Sequence, residues 1–171
     1  MISLPADIEA GVRAEGERSY PYECCGLILG TLGGPEGLSG ARGQAGPAPQ
    51  APSVPAAAPP DPESAPRLAA RLVPASNSRE GEARRRRFSI EPRDFLHAER
   101  EALASGLEVL GVYHSHPDHP AAPSEHDLSQ ALPFYSYVIV SVRGGKSREL
   151  TSWRLSPDRG SFAEEEVGLS G

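Results

Sequence analysis

Residues 107–132 admit few folds. A mostly apolar, β-prone run, LEVLGVY, leads straight into His114-Ser115-His116-Pro117. In an extended chain residues i and i+2 share a face, so a strand ending here aims His114 and His116 at one point. Pro117, Pro120 and Pro123 exclude a helix until Ser124. Ser124 then fits a helix N-cap with Asp127 at the third helical position, a turn that returns the Asp127 carboxylate towards the imidazoles. A helix over about 124–131 leads into 137–142, YVIVSV, the strongest strand signal in the chain.

Two imidazoles and one carboxylate suit Zn²⁺ in a catalytic role, because the fourth position stays open for water. Plainer readings stand beside this one. Ser124 and Asp127 also make sense as a capping pair alone, and His119 and His126 read as bystanders at the rim. Two histidines and a carboxylate also serve non-haem Fe(II) oxygenases, although a helix-borne Asp127 fits that site poorly.

The rest of the chain supplies a scaffold. Residues 4–16 read as a helix, with Pro5 in its first turn and Leu4, Ile8 and Val12 on one face. Glu23-Cys24-Cys25-Gly26 opens a short buried strand through Gly30, which leaves Glu23 at a strand entrance. Residues 33–66 hold nine of the 18 prolines, no aromatic residue, and only Leu38 and Val54 as large or β-branched aliphatics. Such a stretch cannot build a core, and it reads as a flexible insertion between two strands. Strands follow at 67–74 and 88–90, and a helix from Glu91-Pro92 to Ser105 presents Phe95, Leu96, Glu99 and Leu103, with Gly106 beyond its end. Gly144-Gly145 turns the 137–142 strand into 149–155, with Trp153 in the core. The acidic tail, about 157–171, reads as frayed. About six strands and three helices result, a mixed α+β or α/β sandwich around a sheet.

At 171 residues the chain fits a single domain, 1–171. A formal charge of −6 argues against general nucleic-acid binding, and Arg84–Arg87, the one basic run, reads as a solvated loop. No apolar run is long enough to span a membrane and no secretory leader is evident, so a cytoplasmic protein is expected. Cys24 and Cys25 are adjacent, cannot form an ordinary framework disulfide, and read as reduced, packed thiols.

Hydrolysis at such a centre needs more than the metal. Zinc brings a bound water's pKa near 7, but a base must take the proton and return it to a leaving amine. Glu23 is the candidate, with a surface carboxylate at a strand end as its plainer reading. The Ser124 hydroxyl is a candidate donor to a developing oxyanion.

Glu23 in YECCGLILG, then His114-Ser115-His116-Pro117, then Ser124-Glu125-His126-Asp127, resembles the signature of the JAMM zinc metallopeptidases. The similarity covers roughly 2–32 and 67–155. It implies a cytidine-deaminase-like α/β/α sandwich around a mixed sheet. It also implies one Zn²⁺ on His114, His116 and Asp127, with Glu23 as general acid/base and Ser124 on the oxyanion side. The implied substrates are bonds after the C-terminal Gly-Gly of ubiquitin-like proteins. Compact bacterial members are nearest, which implies a sulfur-carrier protein, cleaved at an isopeptide or at a cysteine adduct. The alternative is a catalytically silent MPN-type docking module.

Overall fold

A computed structural model describes residues 1–33, 65–78 and 87–170. The insertion therefore lies outside the described residues from 34 to 64, as do Arg84–Arg86. The elements are β1 (Ile2–Pro5), α1 (Ala6–Ser19), β2 (Cys25–Leu32), β3 (Arg67–Ala75), α2 (Pro92–Ser105), β4 (Glu108–Pro117), α3 (Glu125–Gln130), β5 (Ser136–Arg143), β6 (Lys146–Leu155), β7 (Phe162–Glu165) and β8 (Val167–Ser170). The strands form one mixed sheet in the order β7-β6-β5-β4-β2-β3-β1-β8. β4 sits inside it, antiparallel to β2 and parallel to β5.

Burial on both faces explains the near-continuous apolar runs of β2, β4 and β5. Tyr113, Ile28, Val138 and Val140 pack on one face with Ile8 and Val12 of α1. Val112, Leu27, Leu29 and Tyr137 pack on the other with Ala98 and Ala102 of α2. Alternation along β4 then puts His114 and His116 on the α2 side and Ser115 on the α1 side. The adjacent thiols divide in the same way, Cys24 into one core and Cys25 into the other. Both are free, and burial pushes them up to about 11 and about 12, so they pack as apolar side chains.

Several expectations need correction. Leu4 belongs to β1, and α1 begins only at Ala6, after Pro5. Residues 88–90 lie in no strand; Ser89 instead exchanges backbone and side-chain bonds with Asn77 and Ser78. On α2, Leu103 is 83% exposed and Leu96 45%, while Ala98 and Ala102 are buried, because small side chains let the helix approach the sheet closely. The helix ends as its sequence implies, with Gly106 in the left-handed conformation at φ 66°.

The tail, expected to fray, is paired over Phe162–Glu165 and Val167–Ser170. β7 pairs with β6, and β8 pairs in parallel with β1. Phe162 meets Tyr137 edge-on at 5.3 Å. The buried Glu165 carboxylate accepts from Ser152 Oγ at 2.8 Å and stands 3.5 Å from the Arg67 guanidinium. Only Glu166 separates β7 from β8, yet they occupy opposite edges of the sheet. The sheet therefore curls until its edges approach, and Ile2 N–H donates to Glu166 O at 3.0 Å. Among the described residues, no helix is long and apolar enough to cross a membrane.

Candidate active site

The end of β4 and the start of α3 bring three candidate ligands together. His114 Nε2 lies 3.0 Å from His116 Nε2 and 3.3 Å from Asp127 Oδ1, and His116 Nε2 lies 3.5 Å from Asp127 Oδ2. Ligands about 2.0–2.1 Å from a tetrahedral ion stand roughly 3.3–3.4 Å apart. One ligand atom from each of the three buried side chains lies within 4.8 Å of the other two, so this donor set fits a metal ion. The histidines lie within β4 rather than past its end, because β5 continues the pairing as far as Pro117.

The imidazoles are oriented from behind. His116 Nδ1 is 2.9 Å from the Pro120 carbonyl oxygen; with Nδ1 donating there, the Nε2 lone pair is free for an ion. The loop carrying Pro120 is fastened to the sheet: Ser141 Oγ donates to His119 O at 2.7 Å, and Trp153 Nε1 to Ala121 O at 3.3 Å. His114 is fully buried, its ring stacked on Phe88 at 4.4 Å and 28°. Burial holds its pKa below the usual imidazole value.

Asp127 is set by the cap that its sequence implies. Ser124 Oγ and Ser124 N–H both donate to Asp127 Oδ2, at 2.7 and 2.6 Å, and Asp127 N–H donates back to Ser124 Oγ at 3.2 Å. Burial would raise the carboxyl's pKa. The two imidazoles and the Ser124 amide outweigh it and hold the group well below the usual carboxylate range. His116 shows the reverse balance: burial would lower its pKa, but Asp127 and the Pro120 carbonyl raise it.

Glu23 reaches the same cleft from the residues just before β2. Cys25 is the Cα partner of His114 in the antiparallel β2–β4 ladder. Carried two residues past the start of β2, that register brings Glu23 alongside His116, and both line one cleft. A cleft of about 350 Å³ is lined by Glu23, His116, His119, Pro120, Ala122, Pro123 and Ser124. Glu23 is 5% exposed, and burial raises its pKa to about 8, with His116 opposing and Asp127 assisting. A carboxyl near neutrality can both take and return a proton at working pH.

Sequence reasoning assigned no role to several residues that shape this centre. Ser115 Oγ accepts from Cys24 N–H at 2.9 Å, directly behind Glu23; period-2 alternation was the signal for it. Phe88 and Asn77 lie far from the ligands in sequence, and no local pattern marks them. His119 lines the cleft, while His126 Nε2 lies 3.3 Å from Phe88 O, behind the ligands.

The family model for prokaryotic homologs of the JAB domain matches residues 5–156. The chain belongs to this family. Relatives of this JAB chain include a probable TtuB-protein conjugate cleaving protease of Thermus thermophilus, 37% identical over 57 residues. That match covers 33% of this chain and 38% of the relative. A desampylase of Pyrococcus furiosus is 36% identical over 70 residues, 40% of this chain and 47% of that protein. The chain thus spans less than half the length of either relative. A Desulfitobacterium hafniense protein solved in solution is 27% identical with a TM-score of 0.71, covering 99% of this chain and 93% of that one. The mixed sheet with helices on both faces is the JAB fold.

Proposed function

We propose that this JAB chain is a zinc metallopeptidase that hydrolyses the peptide or isopeptide bond after the C-terminal Gly-Gly of a ubiquitin-like or sulfur-carrier protein. The observation that carries the reading is the convergence of His114, His116 and Asp127 on one point, with a buried, protonatable Glu23 across the same cleft. The names of the two relatives, one a conjugate-cleaving protease and one a desampylase, support the substrate class.

His114 Nε2, His116 Nε2 and one Asp127 oxygen would hold the ion. Zn²⁺, when bound, supplies Lewis-acid polarisation and brings the pKa of a water near 7. Glu23 takes the proton of the attacking water and delivers it to the leaving amine, a cycle suited to its raised pKa. The Ser124 hydroxyl, which lines the cleft, turns from Asp127 to donate to the developing oxyanion. Pro120, Ala122 and Pro123 wall the cleft, and a tail without side chains at its last two residues would pass between such walls.

The direct test incubates the zinc-loaded chain with ubiquitin-fold carriers bearing extensions after Gly-Gly, and weighs the products by mass spectrometry. Release of carriers ending in Gly-Gly is expected. Carriers that keep their extensions throughout would contradict the proposal.

A further inference from the structure

The peptide unit between Glu23 and Cys24 is gripped from two sides. Ser115 Oγ accepts from its Cys24 N–H at 2.9 Å, and in the next peptide unit Ser115 N–H donates to Cys24 O at 3.2 Å. From the other side Asn77 Nδ2 donates to Glu23 O at 3.2 Å. The same amide also donates to Arg87 O at 3.1 Å, and its Oδ1 accepts from Ser89 N–H at 3.3 Å. Asn77 therefore straddles Phe88, the ring that stacks on His114. One side chain thus joins the backbone carrying Glu23 to the segment that packs a metal-ligand imidazole. A planar amide suits this place because it offers two donors and an acceptor at once.

We propose that Asn77 is a positioning residue for the reaction: it fixes the Glu23 carboxyl relative to His114 and His116 without itself touching substrate. The proposal rests on the reading of Glu23 as general acid/base. Proton transfer operates only within hydrogen-bond reach, and misplacement by about 1 Å costs on the order of a hundredfold in rate. Ser115 alone leaves the Glu23 carbonyl side of the peptide unheld, and Asn77 closes that side. The effect on turnover should match that of losing an outer partner of a metal ligand, roughly 10–100-fold.

The test uses the full chain with Asn77→Ala and Asn77→Asp. Asn77→Asp keeps the shape and the acceptor for Ser89 N–H, but turns a carboxylate oxygen towards the Glu23 and Arg87 carbonyls. Should Asn77→Ala fail to fold, the isosteric variant carries the test. We expect kcat to fall about 10–100-fold on a Gly-Gly-extended ubiquitin-fold fusion. KM should stay within about twofold of wild type, since an interaction made only in the transition state acts on kcat, and zinc content should be unchanged. In nitrogen-15 spectra of the metal-free chain, the Cys24 amide should shift, because it reports the same peptide unit. Wild-type kcat in a folded variant, or a raised KM with kcat intact, would overturn the proposal, as would an unmoved Cys24 amide in both variants. If the wild-type chain cleaves nothing, the peptidase reading fails, and the Cys24 amide alone then decides whether Asn77 holds this peptide.

Discussion

Cys25 stands opposite His114 in the ladder between β2 and β4. Extended two residues beyond the start of β2, that register brings Glu23 alongside His116, and both line one cleft. The register of two antiparallel strands therefore brings an acid from early in the chain towards candidate ligands far along it. A slip of one residue would turn Glu23 to the opposite face of the sheet.

The burial of Glu23 has a pH signature. Its pKa is raised from 4.5 to about 8 in the folded chain, so the native state holds a proton that the unfolded state releases between those values. Its contribution to stability is fully present below about pH 4.5 and is lost as pH rises through about 8. The whole span is worth on the order of 5 kcal/mol. Glu23→Gln cannot titrate. Thermal melts of the two metal-free proteins should show wild-type stability falling relative to the variant between pH 5 and 8. A constant difference across that range would mean that Glu23 titrates normally.

Ser124 has two duties that one substitution separates. Its hydroxyl caps α3 and also lines the cleft. Ser124→Ala should cost about 1 kcal/mol of stability from the lost cap. It should also lower kcat by roughly 10²–10³, the usual cost of losing an oxyanion donor. Denaturant titration beside steady-state kinetics checks both. A stability loss with unchanged kcat would leave Ser124 as a cap alone.

The inserted stretch leaves and re-enters the fold at one point, where Gly33 N–H donates to Pro66 O at 2.8 Å. Deleting residues 35–64 should therefore leave turnover near wild type and the melting temperature unchanged or slightly raised, since a shorter loop costs less entropy to close. A collapse in kcat with the fold intact would show that the insertion takes part in substrate handling.

On α2 the packed face is made of small residues. Ala102→Leu should destabilise the chain by about 1–3 kcal/mol through overpacking against the sheet. Leu103→Lys, at an exposed position, should stay within about 0.5 kcal/mol. Equal effects from the two would mean that the helix is rotated from the face described.

This contrast marks what was legible in the sequence. The ends of α2, the Gly144-Gly145 turn and the capping box at Ser124 rest on local backbone chemistry, and the residues state them directly. Helix orientation does not: Leu103 is the more hydrophobic residue, but Ala102 permits the closer approach. β1, β7 and β8 are four residues each, too short to show periodicity, and they are held by long-range partners such as Arg67 with Glu165. In the site, the two histidines and Asp127 are joined by local geometry and could be read together. Glu23 needed either a family resemblance or the sheet register, and Asn77 and Phe88 had neither.

The most direct measurement of the central claim pairs metal content with cleavage in Glu23→Gln and His116→Ala, using wild type as the reference. Glu23→Gln should retain about one zinc per chain and a folded spectrum, yet release no extension from a Gly-Gly-ended carrier. His116→Ala should lose both zinc and cleavage. Wild-type cleavage by Glu23→Gln, or full zinc retention by His116→Ala, would contradict the account.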